Sequence, residues 1–202
     1  MQTHPAEIYL SDADPVMRRL VRKHGPLGLK PRERRSPFES LARAIANQQL
    51  NGTAAASILK RFIGLFPGRR FPRAADLALV DDATIRAAGF SFAKIAALRD
   101  LAEKCGSGVV PTSRAMLLLS DEEIIARLTE VRGIGRWTAE MLLIFQLGRP
   151  DVFPVDDFGV RRGYALACGL KEMPRPKELL KHGEKWRPFR TAASWYLWRE
   201  AD

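Results

Sequence analysis

The sequence predicts an all-α protein, and three observations predict it. Apolar residues recur at helical spacing along nearly the whole chain, as in Phe38, Leu41, Ala42, Ile45 and Ala46. Helix-start signals precede these stretches. Ser36-Pro37-Phe38-Glu39 and Ser120-Asp121-Glu122-Glu123 each set a serine three residues before a glutamate, the pattern of a capping box. Alternating β-type runs are scarce: Val109-Val110 and Asp151-Val152-Phe153 are too short to build a sheet.

The elements follow in order. Asp14-Pro15 opens the first helix, an aspartate cap followed by a proline whose missing amide costs nothing in the first turn. The helix capped by Ser36 stops near Asn51-Gly52, and an alanine-rich helix runs from Thr53 to about Ile63. The box at Ser120 leads into Ile124, Ile125, Leu128 and Val131 on one face. Pro188 opens the last helix. Glycine and proline cluster at 24–37, 64–72, 106–111, 148–154 and 169–176, which divides the chain into about ten short helices.

Composition narrows the function. With 46% apolar and 28% charged residues, the chain is of ordinary globular type. No apolar run approaches the roughly 18 residues of a membrane span, and MQTHPAEIYL has no signal-peptide core, so no membrane association is expected. Two cysteines, Cys105 and Cys168, exclude a disulfide scaffold and a four-cysteine zinc or iron–sulfur site. A reducing intracellular compartment is expected: in a bacterium, the cytoplasm and nucleoid. Lys and Arg number 33 against 23 Asp and Glu, a net charge of +10, which suits either a polyanionic partner or a merely basic surface.

Two segments carry chemistry. In Leu128-Thr-Glu-Val-Arg-Gly-Ile-Gly-Arg-Trp-Thr-Ala139 a capped helix runs into Gly133-Ile134-Gly135, and a second apolar helix follows at once. Such a turn exposes amides at a helix N-terminus, a ready site for a phosphate. It also fits a tight turn between two core helices, with Ile134 filling a gap. Downstream, Asp156-Asp157 begins another helix. Asp156 suits the cap, and Asp157 would project from the first turn, although both acids could be capping residues.

Taken together, these residues resemble the helix-hairpin-helix DNA glycosylases. The resemblance rests on Gly133-x-Gly135-x-x-Thr138-Ala139 followed by Pro154-x-Asp156-Asp157. It extends to Ser36-Pro-Phe-Glu-x-Leu-x-Arg-Ala-Ile-x-x-Gln-Gln-Leu50, to Trp137, and to Trp186-x-Pro188-x-Arg190-x-x-Ala193 ending in Trp198. Within the superfamily the chain is most similar to the alkylpurine group, DNA-3-methyladenine glycosylase II, in a short form without the β-rich N-terminal domain of larger members. Val155 stands where some members have proline, and Met141 where some have an aromatic residue.

The resemblance implies two helical lobes around a cleft: a central helical barrel over 37–147 containing the hairpin, and a second lobe of 1–36 with 148–202 carrying the catalytic aspartate. It implies that Asp157 is the catalytic carboxylate and Asp156 the helix cap. Trp137, Trp198 and Met141 would line the base pocket, with Trp195 left in the core. Gln49, Leu50 and Asn51 would fill and wedge the duplex, and Gly133, Gly135, Arg136 and Thr138 would contact DNA. The carbonyls of Thr129, Val131 and Ile134 would hold a monovalent cation, sodium or potassium. From the residues alone, Leu50 could instead seal a helix end, and Trp137 with Met141 could be a core stripe.

The activity so implied is hydrolytic removal of an alkylated purine from double-stranded DNA by a monomer, with no catalytic cofactor and no iron–sulfur cluster. An N3- or N7-alkylated purine is cationic, so it leaves readily and attracts electron-rich indoles. Strand-cleaving relatives carry a lysine two residues after the second hairpin glycine, where this chain has Trp137, so lyase activity is not expected. Two other readings stand beside this one: a non-catalytic helix-hairpin-helix DNA-binding module, and a glycosylase for mismatched, oxidised or deaminated bases.

Overall fold

The computed structural model describes residues 4–31, 35–50 and 52–202. Among these residues there are twelve α-helices and no strand. The helices are α1 (Pro5–Ala13), α2 (Pro15–His24), α3 (Pro37–Asn47), α4 (Gly52–Gly64), α5 (Asp82–Ala87) and α6 (Phe92–Gly106). They continue as α7 (Ser113–Met116), α8 (Asp121–Thr129), α9 (Arg136–Phe145), α10 (Phe158–Cys168), α11 (Pro176–Gly183) and α12 (Arg190–Ala201). Short 3-10 segments span Ala74–Leu79 and Glu184–Trp186. No helix among the described residues is long and apolar enough to cross a membrane.

Local chemistry explains the starts. Ser120 Oγ accepts from the Glu123 amide at 3.3 Å, and the Glu123 carboxylate accepts from the Ser120 amide at 2.8 Å, closing the box that opens α8. At α3 only half of the expected box forms. Ser36 accepts from the Glu39 amide at 3.0 Å, but the buried Glu39 carboxylate binds Arg43 (3.0 Å) and Arg70 (3.1 Å). The sequence reading also missed α1. Its cap is His4, whose Nδ1 accepts from the Ala6 amide at 3.2 Å while Glu7 accepts from the His4 amide at 3.2 Å. The last helix starts at Arg190, not at Pro188, because Phe189 still has non-helical backbone (φ −117°, ψ 32°).

The chain divides into two compact units, Met1–Pro31 with Leu143–Asp202, and Arg32–Leu142. The boundary falls within α9. In the first unit Leu10, Met17, Leu20, Val160, Tyr196 and Leu197 form the core. There α10 and α12 approach so closely that a side chain at Gly163 would overlap the Leu197 carbonyl. Trp186, fully buried, donates its Nε1–H to Asp14 Oδ2 at 2.8 Å, and Asp14 Oδ1 caps α2 through the Val16 amide at 2.9 Å. Burial pushes the Asp14 carboxyl up, but Lys185 and Trp186 outweigh it and hold it below the usual carboxylate range.

In the second unit Phe62 is the hub. Its ring lies 5.5 Å from Phe66, 6.2 Å from Phe71 and 5.2 Å from Phe90. Truncating such a ring to alanine typically costs about 3–5 kcal/mol. The 15-residue α6 buries Ile95, Ala97, Leu98 and Leu101, and its polar face turns toward the loops described next.

Candidate active site

In the first unit, the Asp157 amide donates to the Pro154 carbonyl at 3.0 Å, closing a turn over Val155 and Asp156. Asp157 emerges with extended backbone (φ −67°, ψ 127°), and its carbonyl accepts the first bond of α10 from Arg161 at 3.0 Å. Its Oδ1 accepts from the Val160 amide at 2.8 Å. Asp157 is therefore the cap of α10, which corrects the assignment of that role to Asp156. Asp156 is exposed in the turn, one residue too early for its side chain to serve the first amides.

The same Oδ1 accepts a second bond, from Trp198 Nε1 on α12 at 2.7 Å. Two donors on one oxygen fix the direction of the carboxylate. Phe145, at the end of α9, stacks on the Trp198 ring at 5.6 Å and 25°. Gly159 borders the indole on another side, where a Cβ would come within 2.8 Å of Trp198 Cδ1 and 3.2 Å of Asp157 Oδ1. Any other residue there would displace the indole or the carboxylate. The half-buried Trp195 belongs elsewhere: it meets Tyr196 edge-on at 4.9 Å and covers Gly28.

The second unit carries the hairpin between α8 and α9. Gly133 has φ +77°, a left-handed conformation that suits glycine. Val131 and Ile134 are buried, and the Ile134 amide donates to the Val131 carbonyl at 3.0 Å, so these two anchor the turn while Gly133 and Gly135 stay exposed. A Cβ on Gly135 would meet nothing within 4 Å, which marks the open side at the start of α9. The Thr129 hydroxyl bonds back to the Ile125 and Ala126 carbonyls, at 2.9 and 3.0 Å.

Two predicted DNA contacts turn out to be engaged within the unit. Arg136 makes a fork onto Glu122, at 2.6 and 3.0 Å, and donates to Glu140 at 3.0 Å. The bonds to Glu122 hold its guanidinium firmly in the charged form and compensate that charge. Thr138 is only 8% exposed. Thr138 thus presents little side chain at the first turn of α9, whereas the paired Arg136 side chain stays half exposed. Trp137 is 49% exposed, so it is not a core residue, and Met141, one turn further along that face, is half-buried.

The turn after α3 carries the predicted wedge. The helix ends at Asn47, earlier than the sequence suggested, because Gln48 leaves helical geometry with ψ 131°. Gln49 follows with φ +56°, the described non-glycine residue in the left-handed region. Such backbone costs on the order of 1–3 kcal/mol and persists where surrounding structure imposes it. Gln49 is exposed and Leu50 is 40% exposed, which speaks against Leu50 as the seal of a helix end. Gln48 Nε2 donates to the Gly133 carbonyl at 2.7 Å, tying this turn to the hairpin. Asn51 lies outside the described residues.

Sequence reasoning missed Gln48, Phe145 and Lys94, whose ammonium holds the Gln48 carbonyl. Phe145 had a signal, since it stands four residues after Met141 and eight after Trp137 on one helical face. Among the described residues no group of three or more His, Cys, Asp or Glu side chains could hold a metal.

The family model described as the HhH-GPD superfamily of base excision DNA repair proteins matches residues 42–188. A Schizosaccharomyces pombe protein named DNA-3-methyladenine glycosylase 1 is 45% identical over 197 residues, covering 96% of this chain and 86% of that protein. The solved structure of an S. pombe 3-methyladenine DNA glycosylase in complex with abasic DNA superposes with a TM-score of 0.86, covering 97% of this chain and 96% of that one. A DNA-3-methyladenine glycosidase from Bacillus halodurans, 33% identical, superposes with a TM-score of 0.87, covering 98% of this chain and 89% of that one. This chain belongs to the HhH-GPD superfamily of base excision DNA repair proteins.

Proposed function

We propose that this protein is a monofunctional DNA glycosylase. It extrudes alkylated purines of the 3-methyladenine type from duplex DNA and hydrolyses the N-glycosidic bond, leaving an abasic site. The observation that carries this reading is Asp157 Oδ1, held at once by the Val160 amide and the Trp198 indole. A carboxylate aimed in this way stabilises positive charge developing on the sugar. As the C1′–N bond breaks, its electron pair leaves with the base. A water oxygen then bonds to C1′, and its proton passes through the carboxylate to solvent.

A cationic purine is already a good leaving group, so the site needs a negative charge rather than a strong acid. Within the first unit, the Trp198 indole offers aromatic surface to such a base. An indole attracts a cation by about 0.5–2 kcal/mol. The amides at the start of α9 suit a backbone phosphate, and the exposed Leu50 suits the space that a flipped nucleotide vacates. Thr129, Val131 and Ile134 would supply carbonyl oxygens to a monovalent cation. Neutral oxygen donors suit a hard ion, and Val131, which already accepts one amide, retains a second lone pair. Such an ion would add positive charge beside the phosphate.

The test is release of free base from a panel of alkylated duplexes, followed by counting of abasic sites. Release of 3-methyladenine or a related alkylpurine, with the strand intact until alkali is added, is the expected result. Binding without release from any duplex would instead identify a non-catalytic DNA-binding module.

A further inference from the structure

Four residues on α6 share one helical face: Lys94, Ala97, Asp100 and Lys104. Lys94 Nζ donates to the carbonyls of Ala46 and Gln48, both at 2.8 Å, at the point where α3 gives way to the Gln48–Leu50 turn. Asp100 Oδ2 accepts from the Arg132 amide at 2.7 Å, one residue before the hairpin glycine. Lys104 Nζ donates to the Glu130 carbonyl at 2.7 Å and braces Asp100 at 2.8 and 2.9 Å. Ala97 lies between these two grips, its Cβ 3.8 Å from the place a Cβ on Gly133 would occupy. The Gln48–Gly133 bond closes the set.

One helix therefore holds the main chain of both exposed turns. Lysines usually send their ammonium to water, along a stem that lies on apolar surface. Lys94 instead caps two carbonyls, and burial pulls its pKa below the usual lysine value. Its anchorage is next to Gln49, whose left-handed backbone needs its neighbours held. From Lys94 to Asp100 the helix rises about 9 Å, a fixed length set by 1.5 Å per residue.

We propose that this face of α6 fixes the spacing between the hairpin and the Gln48–Leu50 turn, making Lys94 and Asp100 positioning residues for nucleotide extrusion. The proposal rests on the glycosylase reading. The phosphate gripped at the hairpin and the nucleotide displaced by Leu50 belong to one DNA backbone, so the distance between grip and wedge sets which nucleotide leaves. A misplacement of about 1 Å at such a site can cost on the order of 100-fold.

The experiment compares single-turnover release of an alkylated adenine from two duplexes, one with the lesion paired and one with it unpaired in a single-nucleotide bulge. An unpaired base costs less to extrude, so it depends less on the wedge. Lys94→Met and Asp100→Asn should each lose about tenfold or more on the paired lesion and no more than about threefold on the bulged one. Asp100→Asn removes a negative charge, so its binding to undamaged DNA should hold or tighten, and the loss cannot be a loss of affinity. Lys94→Arg keeps donors on a charged side chain and should recover the paired-to-bulged ratio. Equal losses on both duplexes, or a ratio unchanged in both Lys94→Met and Asp100→Asn, would overturn the proposal while leaving the glycosylase reading in place. A wild-type protein that releases base from neither duplex would overturn that reading, and this proposal with it.

Discussion

The carboxylate site in one unit and the exposed turns in the other are built in opposite ways. At Asp157 a side chain is held by side chains and by its own helix: Trp198 and the Val160 amide grip one oxygen, Phe145 covers the indole, and Gly159 leaves room for it. In the turns, exposed main chain is held from beneath by side chains distant in sequence, with Lys94 under Gln48 and Asp100 under Arg132. The difference teaches where a substitution acts. On the proposed function, a change at the first site would alter the reacting group or its direction, and a change at the second would alter where DNA is held.

The largest effect that would break this comparison is expected at Asp157. Asp157→Ala removes the charge together with the cap. Single-turnover base release should fall about 10²–10³-fold or more, as for loss of one preorganised electrostatic group. Chemical denaturation should show a further loss of about 1 kcal/mol from the missing cap. Next comes Trp198→Phe, which keeps an aromatic face and deletes the N–H. A hydrogen bond to a charged group is worth about 1.5–3 kcal/mol, so release should slow by roughly 10- to 100-fold while affinity for abasic DNA holds. Wild-type rates in Trp198→Phe would reduce the indole to a stacking surface.

Smaller effects sharpen the side of the exposed turns. Leu50→Ala should slow lesion release by roughly tenfold, a fraction of the few kcal/mol that extrusion costs, with little change in binding to undamaged duplex. Equal losses in both assays would reassign Leu50 to packing. Binding should weaken with salt, with a slope of log affinity against log salt of roughly −3 to −6 for about three to six phosphate contacts. The smallest expected effect concerns acid stability. Burial raises the Asp100 carboxyl, but Lys104 and the Arg132 amide outweigh it and hold it below the ordinary 3.8. The stability it gives is thus present above the unfolded value and is lost as pH falls through the lower folded value. Asp100→Asn should lower the melting temperature slightly at neutral pH, and the difference from wild type should vanish as pH falls below about 4.

The same contrast decides what the sequence could show. The all-helical fold was legible because caps and apolar periodicity are local, as at Ser120 and Glu123. The α1 cap was hidden because its acceptor is a histidine, and the Ser36 box stayed half open because arginines claimed Glu39. Asp157 and Trp198 were singled out only through the resemblance, and the cap passed from Asp156 to Asp157 because backbone dihedrals, not residue type, choose between adjacent acids. Arg136 reads as a DNA contact in sequence, and the fork onto Glu122 of another helix, with Glu140 one turn along its own, shows its charge engaged. Lys94 and Asp100 bind backbone far along the chain, and a lysine or aspartate on a helix face carries no mark of that.

The central claim is that Asp157 acts by its charge, and Asp157→Asn tests it most directly. Asparagine keeps an oxygen to accept from Val160 and Trp198, so the cap and the shape survive while the charge is lost. The measurement is single-turnover release of an alkylated purine, with binding to abasic DNA and melting followed in parallel and Asp156→Asn as the control. The account predicts a loss of about 10²–10³-fold in rate for Asp157→Asn, unchanged or tighter DNA binding, unchanged melting, and near wild-type rates for Asp156→Asn. Full activity in Asp157→Asn, or equal losses in the two variants, would contradict it.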